Sequence, residues 1–206
     1  MNRIFSLIYN HFPLTLIAAL VLLLSVSGAG QVSASSAAHV RWDIISVNFG
    51  ASTVSEGGLA SALANDGSKI TLTGNGTFVA PVGGRGAYSA ATGGGTWETF
   101  GASGASTGSG TYEVTGLVRW DIAPGVSPPL TDLIGDPDER AAGLATLTVA
   151  YSDGHRGVLV VSCHLVNTPD TVFEGITASK GFVDYFNRVA PPAPPGDANR
   201  TLFHAR

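Results

Sequence analysis

The chain of 206 residues has one cysteine and one methionine, and only 13% of its residues are charged. A single cysteine excludes an intramolecular disulfide framework and any multi-cysteine zinc or iron–sulfur site. Soluble domains average about 25% charged residues, so little charge is left for gripping a phosphate backbone. With a formal net charge of −4, the composition gives no support to nucleic-acid binding. Helical periodicity is nearly absent beyond the N-terminal segment, which excludes a helix bundle. Several enzyme signatures are missing too. There is no His-Glu-x-x-His, no Walker lysine loop, and no Gly-x-Ser-x-Gly between a strand and a helix.

What is present begins with Arg3 and the apolar run Leu14–Val26. As a helix that run is about 20 Å long at ~1.5 Å per residue. It is shorter than the ~30 Å hydrocarbon core of a bilayer. Small residues follow, with Val32 and Ala34 placed as in an A-x-A-like cleavage site. These features predict a secretory signal peptide over 1–34, a single β domain over 35–190 and a Pro-rich C-terminal tail over 191–206. They imply a secreted or extracytoplasmic protein, in a periplasm or at the cell exterior, with no stable membrane span after cleavage. Cys163 lies in the apolar run Val158–Leu165 and reads as a buried small hydrophobe.

The chain holds 27 glycines and 11 prolines, a composition suited to frequent turns. Period-two alternation recurs between them. In Thr111–Ile122, Tyr112, Val114, Gly116, Val118, Trp120 and Ile122 share one face and mostly polar residues share the other. Val40–Phe49 changes phase at Ile44-Ile45, which predicts a β-bulge. Leu144–Tyr151 and Gly157–Leu165 form a hairpin through Asp153-Gly154. Leu59–Ala64 reads as a strand leading into a further hairpin. Together these patterns predict an all-β fold, a single antiparallel barrel of about eight strands, with a β-sandwich as the close alternative.

Two similarities recur inside the chain. Val40-Arg-Trp-Asp-Ile44 returns as Val118-Arg-Trp-Asp-Ile122. Gly-x-Gly-Thr-aromatic occurs at Gly74–Phe78, Gly93–Trp97 and Gly108–Tyr112, where it reads as a strand entry. The first repeat places Arg41 with Asp43, and Arg119 with Asp121, on one strand face each. On neighbouring strands these four charges form a network. Facing a barrel interior they form a polar pocket; facing water they are rim ion pairs worth ~0–1 kcal/mol each.

His164, Glu174, Lys180 and Asp184 form a second candidate group, capable of general acid–base chemistry if they converge. Arg41, Asp43, Arg119, Asp121, His164 and Glu174 are therefore the candidate ligand-binding residues. No catalytic residue and no cofactor is indicated. Asp132, Asp136, Asp138 and Glu139 are a weak calcium candidate without the EF-hand spacing. Asn75-Gly-Thr77 and Asn199-Arg-Thr201 fit the glycosylation sequon.

The reading that follows is a secreted, non-catalytic β-domain that binds a small molecule or glycan, or serves as a surface or matrix component. One alternative is a calycin- or cyclase-like barrel enzyme acting on a small molecule in a polar-lined cavity. Another is a self-associating structural surface protein.

Overall fold

The computed structural model describes residues 38–80 and 85–206. The expected signal segment lies outside the described residues. Fifteen strands follow in order: β1 (His39–Asn48), β2 (Thr53–Glu56), β3 (Ala60–Leu63), β4 (Lys69–Leu72), β5 (Asn75–Val79), β6 (Arg85–Ser89), β7 (Ala91–Phe100), β8 (Ser106–Ala123), β9 (Thr131–Asp132), β10 (Arg140–Tyr151), β11 (Arg156–Cys163), β12 (Gly175–Lys180), β13 (Val183–Tyr185), β14 (Asn187–Arg188) and β15 (Arg200–Ala205). One 3-10 turn, Pro137–Glu139, precedes β10.

Six strands close an antiparallel barrel in the order β1, β5, β7, β8, β10, β15 and back to β1. The all-β barrel expectation holds, with more and shorter strands than the eight anticipated. Aromatic residues fill the barrel. Trp42, Phe78, Trp120 and Phe203 are all buried. The Trp120 ring centroid lies 5.4 Å from Phe78 and 4.6 Å from Phe203. Burying each such side chain stabilises the fold by roughly 2–3 kcal/mol.

The glycine motifs permit this packing. Gly76 of β5 faces Gly93 of β7. A Cβ at Gly76 would lie 2.1 Å from the Thr92 carbonyl oxygen and 2.8 Å from Trp42 Nε1. At Gly93, where φ is +126°, it would lie 2.3 Å from the Asn75 carbonyl oxygen. Only the Gly74 copy opens a strand. The other two fall inside β7 and β8, where they let strands approach more closely than a side chain allows.

The remaining strands build outward. β4 and β3 extend from β7, and β11, β12 and β13 extend from β10. β13 pairs with β12, and β14 pairs with β3. Only Phe186 separates β13 from β14, so this stretch joins the two outer wings into a second circuit that shares β7, β8 and β10 with the barrel. Its core holds Trp97, Tyr112 and Tyr151, with ring centroids 6.0 Å (Trp97–Tyr151) and 6.1 Å (Tyr112–Tyr151) apart.

Three expectations are corrected. In β8, register shifts fall opposite Thr146/Leu147 and Thr148/Val149. These irregularities reset the parity, so Leu117 is buried while Val118, left unpaired by the first shift, is 49% exposed; Ile122 keeps the parity of Trp120 but lies near the end of β8 and is 66% exposed. In β1, pairing with β15 runs unbroken from Val40 to Ile45. Ile44 and Ile45 are both buried because β1 is covered on both faces, and no bulge is needed. Finally, the last residues of the presumed tail are not outside the domain. Arg200–Ala205 is β15, a stave between β1 and β10.

Candidate functional site

The two Arg-Trp-Asp copies lie on β1 and β8, which are not neighbours in the barrel. Their tryptophans point inward and their charges outward, so the four-charge network does not form. Arg119 and Asp121 make an ion pair with side chains 56% and 47% exposed. Arg41 and Asp43 differ. Arg41 Nε and Nη2 each donate to the Asp43 carboxylate over 2.8 Å, and Nη2 also meets Glu56. The Asp43 side chain is fully buried. Burial pushes its carboxyl above the ordinary value, against the pull of Arg41.

Of the second candidate group, the structure brings together His164 and Glu174. Glu174 is the last residue of the β11–β12 connection. Its carboxylate accepts from the backbone N–H of His164 and of Thr201, each over 2.6 Å. Thr201 Oγ1 donates to the Ser162 carbonyl over 2.6 Å. The His164 Nδ1 lies 2.7 Å from the Val172 carbonyl oxygen. A carbonyl can only accept, so Nδ1 carries the hydrogen. Lys180 instead pairs with Asp153 and sits 4.0 Å over the Trp97 ring, and Asp184 is exposed on β13.

Glu174 and His164 share a cavity of about 260 Å³ between β1, β15 and the connection after β8. Ile45, Val47, Leu130 and Leu202 supply apolar walls, and Arg140 and Arg200 also line it. Burial lifts the Glu174 carboxyl to about 7, although the backbone donors at His164 and Thr201 oppose that rise. The arrangement offers an apolar volume with one carboxyl able to switch between donor and acceptor near neutral pH.

The acidic stretch 132–139 does not form a calcium cage. Asp132 accepts from Arg140 Nε over 2.5 Å and from the N–H groups of Ile134 and Gly135. Its Oδ2 lies 3.0 Å from His204 Nε2. Asp136 accepts from the N–H of Asp138 over 2.9 Å. No group of three or more potential metal ligands converges among the described residues. The buried Arg140–Asp132–His204 cluster escapes the sequence reading, because its members lie in a loop, a strand start and the presumed tail.

Trp42, Trp97 and Trp120 are all buried, so none is presented for stacking on a sugar. Of the two sequons, Asn75 is exposed, while Asn199 is buried and accepts from the Ser61 N–H over 2.7 Å. Cys163 is buried, and burial raises its thiol well above the ordinary value. No family model, curated protein or solved structure matches the chain.

Proposed function

We infer that the chain is an exported, non-catalytic β-domain that binds a small apolar molecule in the cavity over Glu174. The observation that carries this reading is the cavity itself: aliphatic walls closing on one partly buried carboxyl. Pockets for small ligands are mostly apolar with a few placed polar groups. The apolar walls supply affinity, and Glu174 orients a ligand hydroxyl or amine. The enzyme alternative asked Arg119 and Asp121 to join His164 and Glu174 around one interior. The barrel interior is aromatic, and that first pair is solvated on another wall. Only His164 and Glu174 remain to that reading.

The test is a fluorescence titration with N-phenyl-1-naphthylamine, a neutral apolar probe. Saturable one-site enhancement is expected. Leu130→Trp, which fills the cavity from the partly buried connection, should abolish it, and Glu174→Gln should retain it. An absence of saturation, or equal binding by the Leu130→Trp variant, would overturn the reading.

A further inference from the structure

The cavity over Glu174 also holds a cation without an anion. Arg200 opens β15 and pairs with Ile45 of β1. Residues two apart share a strand face, so Arg200 stands on the side of Leu202, away from Phe203 in the barrel. Arg200, Leu202 and Ile45 all line the cavity. The Arg200 guanidinium carbon lies 5.0 Å from the ring centroid of Phe49, another wall residue. Its Nη2 donates to the Pro192 carbonyl over 3.0 Å, and its Nε has no acceptor among the described residues. No carboxylate there forms an ion pair with it.

Arg140, the other arginine of this cavity, differs. Its Nε pairs with Asp132. Its Nη1 donates to Ser127 Oγ and the Pro128 carbonyl over 3.0 and 3.1 Å, and its Nη2 donates to the Leu130 carbonyl over 2.9 Å. Its charge is balanced and its donors are engaged. Glu174 is the one carboxyl in the lining. Each of its oxygens accepts a backbone N–H, and each keeps a further lone pair. With its carboxyl lifted to about 7, Glu174 holds its proton at pH 6 and does not neutralise Arg200. Arginine stays charged at any such pH.

We propose, resting on the reading of this cavity as a ligand site, that its ligand is a short apolar carboxylic acid, whose carboxyl accepts from the Arg200 guanidinium and shares a proton with Glu174 while its chain lies against Ile45, Val47, Leu130 and Leu202. Glu174 alone could orient a hydroxyl or an amine, and Arg200 selects between them. An amine head would set one cation against another. A plain alcohol suits Glu174 and leaves Arg200 without an anion. Two carboxyls side by side hold one proton between them, and Arg200 balances the charge that remains. Hydrogen bonds between a guanidinium and a carboxylate are about twice as strong as neutral ones. The cavity of about 260 Å³ falls just under the ~300–1,000 Å³ usual for ligand pockets, so the chain is short.

The experiment displaces bound N-phenyl-1-naphthylamine from the full chain at pH 6 with octanoate, 1-octanol or octylamine, which share one chain length and differ in the head. Octanoate is expected to displace the probe at a concentration about tenfold below that of octanol, with octylamine the weakest. Arg200→Gln should weaken octanoate about tenfold and leave octanol unchanged, so that the two become equal. Calorimetry should find no octanoate binding to Leu130→Trp, which ties the acid to this cavity. If Arg200→Gln does not fold, the order of the three heads on the wild-type chain decides. Octanol binding as tightly as octanoate would overturn the proposal. So would a full octanoate preference in Arg200→Gln, or wild-type octanoate binding by Leu130→Trp. Each of those results, obtained with saturable probe binding, leaves the apolar site standing and removes only the acid. Absence of probe saturation removes both.

Discussion

Val40–Ile44 and Val118–Ile122 are the same five residues on opposite walls of one barrel, yet they live in different media. On β1 the outer face is covered by the connection after β8, whose Pro128, Leu130, Ile134 and Gly135 lie against it, and Asp43 is fully buried. On β8 the matching Asp121 is 47% exposed. Both walls place a tryptophan in the barrel and an Arg–Asp pair outside. The sequence motif therefore dictates the local pair, while what packs over it sets its energetic weight. A charge pair in water is nearly free to break. One whose carboxylate is dry is not, because the surviving charge has no solvent to turn to.

The sharpest way to break this comparison is to remove the same atom from both walls. Arg41→Gln should destabilise the fold by about 3–5 kcal/mol, because Asp43 is left buried and unpaired. Arg119→Gln should cost under about 1 kcal/mol. Urea melts of the two variants would read the difference, and equal losses would refute the role assigned to the cover.

A second effect should arise at Glu174, on the covered wall alone. Burial raises its carboxyl from 4.5 to about 7. A carboxyl with a raised folded value holds its proton more tightly in the folded chain. Its contribution is complete below about 4.5, declines as pH rises towards 7 and levels off above that. The loss across that window is on the order of 3 kcal/mol. Glu174→Gln should flatten this part of the stability profile. A slope that persists in the variant would assign the titration to another group.

The smallest effect is expected on the bare wall. Val118 and Ile122 are 49% and 66% exposed, so Ile122→Thr should shift stability by no more than about 0.5 kcal/mol. Leu117→Ala, beside them but buried, should cost about 2–5 kcal/mol. A large loss at Ile122 would mean that this wall is covered in solution.

Much of the barrel was legible because alternation and glycine punctuation are local signals. The hairpin through Asp153-Gly154, the strand at Ala60–Leu63 and the strand entry at Gly74 all follow from turn chemistry and period-two patterning. The face assignment of β8 failed where irregular pairing adds residues to one strand, since parity carries no memory across an extra residue. The β1 bulge failed for another reason. Two adjacent buried residues look like a phase error when one face is assumed to be wet. At the sites, the Arg–Asp pairs were legible because residues two apart share a strand face. The meeting of Glu174 with His164 was glimpsed only as a shared candidate group. Arg140, Asp132 and His204 were invisible as a cluster, because only the register of β15 against β1 and β10 brings them together.

That register also bears on how the chain folds. β1 begins at His39 and its partner β15 ends at Ala205, so the seam that closes the barrel joins segments far apart in sequence. Pairings of such separation are entropically late and slow. During synthesis, β10 to β13 can zip along hairpins as they emerge, but the aromatic interior stays unsealed until Phe203 arrives. A growing chain therefore carries an open edge on β1 for most of its length, exposed to wrong partners.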